Sequence, residues 1–514
     1  MAHPSTPLDP TKLSSESVFT RRTIIAAYWL VVLLAVPLWW TTTSIDRLSL
    51  PTARVFAQQD KQLTFPVHVC LSTQERDLVD TAAALAREVQ QLLEAEREVQ
   101  ERSGLRIYVD SRCDSESYEV EVGSGMNQPT VEGRRLRFEL NESSLSTAAM
   151  QLTDALLTLL APYVTLRARN HQTERVMKYA PRYRLAFSLL NEDATSENSV
   201  QSWDVERALS RHISPVLDKL SLLHNFTVES QVQFHAPLAF EPIAIPLDGK
   251  EAYGLSQEHL TVFVNSAEWT LSSSVSNDPV VHFVLFIPSS GHSPLGILDS
   301  TGQPTTSKAF ILPQWGGINL HDPSTPSPAP DSLIPIELDE AFTTFRHQLM
   351  TLLGVPELSK SIRSRELLTG WQLDALLRRR AIENAQGSKD TLQSIVQLVR
   401  QIENMPVGQD VRDDVQGALN ALEATYSSAT ASPLGSIEHS KRAITLASRA
   451  FFNPGMLALL YFPAEHKYAV YTPLFGSVAA PLLASILREL MAWRRARRAA
   501  TQEAKNKAAK QKSD

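Results

Sequence analysis

The chain has 514 residues, 20% charged and 43% apolar, which is long enough for two or three domains with cores of their own. Only 19 residues are glycine, which excludes a collagen-like or Gly-rich disordered chain. The net charge of −7 is unevenly spread: residues 1–22 set three basic residues against two acidic, residues 488–514 set nine against three, and 46–467 are left with −14, so the middle is unsuited to generic nucleic-acid binding.

Residues 23–45, "TIIAAYWLVVLLAVPLWWTTTSI", carry no charge and follow Arg21-Arg22. The apolar part runs from Ile24 to Trp40, longer than the 7–15 residues typical of a signal peptide. Bulky Trp39 and Trp40 also stand where a cleavage site needs small residues. Tryptophan suits a membrane interface, because its ring is apolar and its N–H wants a wet partner. Length and flanks together favour a retained anchor over a cleaved signal.

Beyond the anchor, Leu63–Leu71 reads as a strand, Ser72-Thr-Gln-Glu75 as a capping box, and the segment to about Glu101 as a helix with Leu78, Ala82, Leu85, Val89, Leu92 and Val99 on one face. Leu105–Asp110 is a second strand. Strand, helix, strand predicts an α/β body with a mixed sheet. The rhythm recurs with a strand at Tyr183–Leu190, a helical Val200–Leu223 broken by Pro215, and strands at Phe226–Ala236, Leu260–Val264, Val280–Ile287 and Ala309–Leu312. "HDPSTPSPAPDS", His321–Ser332, reads as an exposed linker or long loop. Helices follow at Glu337–Val355, with Gly354 as its stop, at Trp371–Ala385, at Thr391–Met405, at about Gln409–Tyr426 and at Ser436–Phe452.

A second uncharged run, Tyr468–Leu487, precedes "RELMAWRRARR". Its Pro473 and Pro481 would break a soluble helix but are tolerated in a membrane helix. Basic residues stay on the cytoplasmic side, so both basic flanks predict cytosolic termini and place the intervening segment in the lumen. The expected order is a cytosolic 1–22, a transmembrane helix 23–45, a luminal α/β domain 46–330, a luminal helical region 331–467, a transmembrane helix 468–487 and a basic cytosolic tail 488–514, with no nucleic-acid partner.

Two sequons, Asn141-Glu-Ser143 and Asn225-Phe-Thr227, become candidate N-glycosylation sites once the middle is luminal. The two cysteines, Cys70 and Cys113, are either one disulfide of an oxidising compartment or two separate buried thiols. His68 and Cys70 share a strand face, but "FPVHVCL" reads as strand interior, which gives substrate no approach to a Cys/His pair. H-E-x-x-H, G-x-S-x-G, CxxC and the P-loop pattern do not occur, the histidines show no zinc spacing, and Gly123-Ser-Gly125 is too short for a phosphate cradle. No catalytic residue, cofactor site or metal ligand is expected. Arg378-Arg379-Arg380 reads most simply as the solvated face of a helix.

Four separated stretches carry a resemblance. "VPLWWTTTSIDRLSLP", "LPQWGGINL" (Leu312–Leu320), "WQLDALLRRRAIENAQGSKDTLQSIVQLV" and "FPAEHKYAVYTPLFGSVAAPLL" are similar, in that order, to segments of the class S subunit (PIG-S) family of glycosylphosphatidylinositol (GPI) transamidase. The resemblance implies a non-catalytic subunit of an endoplasmic-reticulum membrane complex that replaces a precursor's C-terminal signal with a preassembled GPI lipid. It implies as partners the other transamidase subunits, including a catalytic cysteine-protease chain, with GPI lipid and precursor met through the complex. A stand-alone luminal enzyme and an adhesion or scaffold protein are the alternatives. In Trp315-Gly316-Gly317 the sequence suggests a tight turn packed by an indole.

Overall fold

The computed structural model describes residues 17–43, 47–111, 118–125, 128–140, 144–163, 176–195, 199–247, 250–271, 276–322, 333, 335–402, 405–457 and 464–510. The chain divides into two compact units. One gathers Met1–Thr52, Leu392–Val415 and Ser448–Asp514; the other gathers Ala53–Thr391 and Gln416–Ala447.

The first unit contains α1 (Val18–Thr43) and, at its far end, a 47-residue helix, Ala464–Lys510. Within them, Phe19–Leu38 and Phe475–Ala504 are long and apolar enough to cross a bilayer, and neither is buried by protein. Leu30, Leu33, Leu34, Val478, Leu483 and Leu487 are all more than half exposed. So much unpaired apolar surface marks a lipid-facing or protein-facing segment. The two helices meet through a charge cluster: Arg21 Nε donates to Glu489 Oε1 at 2.6 Å and Arg22 Nε to Glu489 Oε2 at 3.1 Å. Pro473 and Pro481 lie inside the long helix without ending it.

The second unit is built on two open, mostly parallel sheets. The first is six-stranded, in the order β14-β4-β5-β3-β1-β2, with β1 (Phe65–Ser72), β2 (Leu105–Asp110), β3 (Tyr118–Gly123), β4 (Thr130–Glu132), β5 (Arg135–Glu139) and the two-residue β14 (Arg363–Ser364). Strand β1 runs parallel to β2 and β3; β4 pairs antiparallel with β5, and β14 runs parallel to β4. Helix α2 (Val79–Ala95) lays Ala82, Leu85, Ala86, Val89 and Leu93 into the core beside α3 (Leu145–Leu160).

The second sheet is five-stranded, in the order β12-β13-β10-β6-β7, with β6 (Arg182–Asn191), β7 (Asn225–Gln233), β10 (Val280–Ile287), β12 (Ala309–Leu312) and β13 (Gly316–Leu320). A short sheet of β8 (Ile243–Leu247), β9 (Lys250–Leu255) and β11 (Leu295–Ile297) completes the strands. β6 and β10 read as almost unbroken apolar runs because they are central parallel strands covered on both faces. On one face Phe187 and Phe283 stack at 4.9 Å and meet Phe342 and Phe345 of α4 (Pro335–Leu353). On the other, Phe286 and Leu190 join Phe263, Trp269 and Leu255. Gly354, at φ +79°, stops α4 as expected.

Several expectations change. Ser72 and Glu75 do not form a capping box: Ser72 donates to Glu119, and the Glu75 carboxylate accepts from the Ser124 backbone and hydroxyl, so α2 begins only at Val79 after a 3₁₀ turn. The predicted helix to Glu101 is interrupted at Glu96 before Arg97–Arg102. Pro215 does not break its helix; it occupies the first turn of Ser214–Leu220, where a missing N–H costs nothing, after a π-helical turn at Leu209–Ile213. Leu260–Val264 is not a strand. Ser256 caps a short helix, Gln257–Thr261, by accepting from the His259 N–H, and Phe263 enters the core from the following loop. The two helices expected at Trp371–Ala385 and Thr391–Met405 are one, α5 (Gly370–Gln401). Its Gly387 sits against Ile444 and its Ser388 hydroxyl donates to the Asn384 carbonyl, so the "QGSKD" that looks like a break is a packed helical turn. Most of the segment expected as a linker, 323–332, lies outside the described residues.

Two core histidines set a pH dependence. His224 and His282 are 2% and 8% exposed. Burial pushes each down to about 4, with Arg380 and Lys441 adding to the effect on His224 and Arg184 to that on His282. Unfolding restores the ordinary value near 6.5, so the unfolded chain binds more protons between about pH 6.5 and 4 and stability falls as pH drops through that window. Thermal unfolding of the detergent-solubilised chain is expected to show a loss on the order of a few kcal/mol between those pH values. A Tm that holds constant or rises on acidification would contradict neutral, buried imidazoles.

Candidate functional site

In open parallel sheets a ligand normally enters at the carboxyl ends of the strands, where the chain order reverses. Both sheets have such a switch point, β1/β3 in the first and β6/β10 in the second, and the chain places a carboxylate of its own at each. In the first, Ser124 N and Oγ donate to Glu75 at 2.9 and 2.8 Å, which holds the Glu75 carboxyl below its ordinary range. In the second, Glu192, 7% exposed, accepts from the Ser289 N–H at 2.8 Å and bonds His292 Nδ1 at 2.6 Å. Asp322 beside it accepts from the Leu295 N–H at 3.0 Å, and burial raises its carboxyl pKa. Among the described residues no group of three or more His, Cys, Asp or Glu is arranged to hold a metal.

The most developed polar cluster is the arginine block on α5. The expectation of a solvated face is overturned: Arg378 and Arg380 are 2% and 4% exposed. Burial of a guanidinium requires partners. Arg380 Nη2 donates to the carbonyls of Met177 and Leu353, each at 3.0 Å, and its Nη1 to Glu383 at 2.8 Å. Arg379 lies over the Tyr163 ring at 4.1 Å and donates to Glu383. Arg378 Nη1 donates to the Tyr118 hydroxyl at 2.7 Å. That hydroxyl donates in turn to Asp374, which takes two further bonds from Arg134. Burial pushes the Tyr118 hydroxyl up to about 12, so it remains a donor. Sequence reasoning missed this chain because charge composition alone cannot separate a buried arginine from an exposed one. The neighbouring Trp371, Ala375, Leu376 and Leu377 were the available signal, since they set large apolar side chains around the same turn.

The other sequence candidates are dispersed. Cys70 lies in β1 opposite Asp110, is 1% exposed and is no free thiol; Cys113 lies outside the described residues. His68 is exposed and stacks on Tyr108 at 5.2 Å, so the His68/Cys70 pair offers no nucleophile. Asn225 is exposed at the start of edge strand β7, while Asn141 lies outside the described residues. The turn expected at Trp315-Gly316-Gly317 falls just before it: Leu312–Trp315 closes the β12–β13 hairpin with Gln314 at φ 59°, Trp315 stacks on His282 at 4.8 Å, and the glycines begin β13.

Two bilayer-length helices and a body of mostly parallel sheets whose strand-end crevices carry the chain's own hydrogen-bonded carboxylates define a membrane-anchored α/β protein with buried arginine anchors. The family model for phosphatidylinositol-glycan biosynthesis class S protein matches residues 26–496, and the chain belongs to that family. It is 35% identical over 354 residues, 66% of this chain and 63% of the relative, to the mouse (Mus musculus) "GPI-anchor transamidase component PIGS". It is 31% identical over 525 residues, 89% of this chain and 92% of the relative, to the rat (Rattus norvegicus) protein of the same name. A "GPI transamidase component PIG-S homolog" of Schizosaccharomyces pombe is 27% identical over 91% of this chain and 84% of its own length.

Proposed function

We propose that the chain is a component of the GPI transamidase complex of the endoplasmic-reticulum membrane. The observation that carries this is the match over residues 26–496, with near end-to-end alignment to relatives named as components of that transamidase. In this reading the complex removes a precursor's C-terminal signal and joins the new carboxyl end to a preassembled GPI lipid. This subunit assembles the complex and shapes its luminal face, and the cysteine-protease chemistry belongs to another chain.

The topology proposed with it has residues 1–22 and 488–514 in the cytosol, spans at 23–45 and 468–487, and the α/β region 46–330 and helical region 331–467 in the lumen. Supporting it, Arg21 and Arg22 precede one anchor, Glu489 follows the other, and the three are ion-paired. Antiparallel spans with their basic flanks on one side satisfy the preference of positive residues for the cytosol. Luminal exposure makes Asn225 and Asn141 glycan acceptors and favours a Cys70–Cys113 disulfide. Asp110, the register partner of Cys70, is three residues before Cys113. Deletion of the chain tests the function: precursors bearing a GPI-attachment signal are expected to accumulate uncleaved.

A further inference from the structure

Strand β7 opens on the sequon Asn225-Phe-Thr227, and Asn225 also lines a cleft of 410 Å³. The buried lining of the cleft is Leu223 and His224, 1% and 2% exposed. Its exposed lining comes from Ser221, just before the strand, and from Arg442 and Thr445 on α6 (Pro433–Phe451). All of these residues belong to the second unit. Asn225 and Thr227 are two apart on a strand, so their side chains leave the same face, and both are exposed. The Asn225 N–H is held by the Pro181 carbonyl at 2.9 Å, and its carboxamide makes no hydrogen bond among the described residues.

A glycan reaches such an asparagine when C1 of an N-acetylglucosamine passes to it from a lipid-linked pyrophosphate. The C1–O bond breaks, a C1–Nδ2 bond forms, the amide nitrogen gives up a proton and the pyrophosphate leaves on its lipid. The first sugars are then tethered at the cleft, and a tether makes even weak complementarity sufficient for occupancy. The lining offers that complementarity. Ser221 and Thr445 present hydroxyls and Arg442 a set of donors, which match the hydroxyl and acetamide oxygens of the sugar. Tyr179, its ring set against His224 at 5.4 Å, presents an aromatic surface and a phenol. The Lys441 ammonium already donates to the Leu222 carbonyl and forms part of the wall. A volume of 410 Å³ falls within the roughly 300–1,000 Å³ of small-molecule clefts, so it suits sugar units and not a lone ion.

We propose that this cleft seats the first sugars of a glycan borne on Asn225, holding them between the start of β7 and α6. The inference rests on the luminal placement of residues 46–467 proposed above and is independent of the transamidase role.

The test is release of the glycan by peptide N-glycosidase from the full detergent-solubilised chain, native and denatured, read by mass spectrometry of the peptide that contains Asn225. Release from the native wild type is expected to be about tenfold slower than from the denatured chain, the ratio given by a seated form that outnumbers the free one by about ten to one. Thr445→Trp fills the cleft from an exposed position on α6 and is expected to bring native release close to the denatured rate. Arg442→Ala is expected to move it in the same direction. Arg442 is exposed, so its truncation leaves the core intact and keeps the test decisive even where Thr445→Trp lowers the yield of folded protein. Native release as fast as denatured release overturns the inference. Slow release that neither variant changes also overturns it, because the fold alone would then protect the glycan. An unoccupied Asn225 overturns it as well: with a glycan on Asn141 the luminal reading stands, and with both sequons empty the result counts against that reading too.

Discussion

Gly316→Ala is expected to leave little folded protein in the membrane fraction. Gly316 opens β13, which lies between β12 and β10, and faces His282 in the parallel register. A Cβ at this position would meet the His282 carbonyl oxygen at 1.9 Å and the His282 backbone carbon and nitrogen at 2.8 Å. Those atoms belong to a central strand and cannot swing aside as a side chain would. The strand pair would have to part, and its ladder carries the core that packs Phe283, Phe286 and Ile318. Disruption of this kind belongs among the substitutions that cost more than about 4 kcal/mol. Full-length protein per cell, and the fraction resisting limited proteolysis, read the outcome; wild-type levels of both would show that the register is wrong. The neighbouring Gly317→Ala places its Cβ at 2.0 Å from Gln348 Oε1, a side chain held by the carbonyls of Phe310 and Ile318. Its effect is expected to be smaller, because a side chain can give.

The second large effect is expected at Arg380. Arg380→Ala removes the donor that serves the Met177 and Leu353 carbonyls, leaves both without it, and opens space beside α5. Removing one member of a buried charged network typically costs about 3–5 kcal/mol. For a unit of this size the apparent Tm in detergent is expected to fall by roughly 5 °C or more. Arg379→Ala provides the comparison. Arg379 is more exposed, donates to Glu383 and covers Tyr163, and its loss is expected to cost less, on the order of 1 kcal/mol. Equal effects at the two positions would mean that burial does not separate them.

What the sequence discloses and what it withholds divide along physical lines. β2, β10 and β12 carry the boundaries expected of them, and β6 is off by a residue at each end; β6 and β10 are buried parallel strands that read as apolar runs between turn residues, while β2 and β12 are edge strands, β12 antiparallel to β13. Strands β3 and β5 are hidden in the sequence because their outer face carries Glu119, Glu121, Arg135 and Arg137, a cross-strand charge ladder that reads as loop, and β4 is only three residues long. Leu260–Val264 misled for the opposite reason: an apolar cluster can enter a core from a helix end and loop as readily as from a strand. The Ser72/Glu75 spacing fits a capping box locally, but Glu75 finds its donors in Ser124, 49 residues away, and no local pattern contains that pairing. The cleft beside Asn225 shares this property, since its lining comes from residues near 180, 223 and 443.

The measurement that bears most directly on the assignment is the fate of a reporter carrying a C-terminal GPI-attachment signal in cells lacking this chain, with and without its re-expression. The uncleaved reporter is expected to persist in the endoplasmic reticulum without the chain. Full-length protein should restore cleavage and surface display, and Gly316→Ala should not. Normal cleavage and display of the reporter in cells lacking the chain would contradict its place in the transamidase.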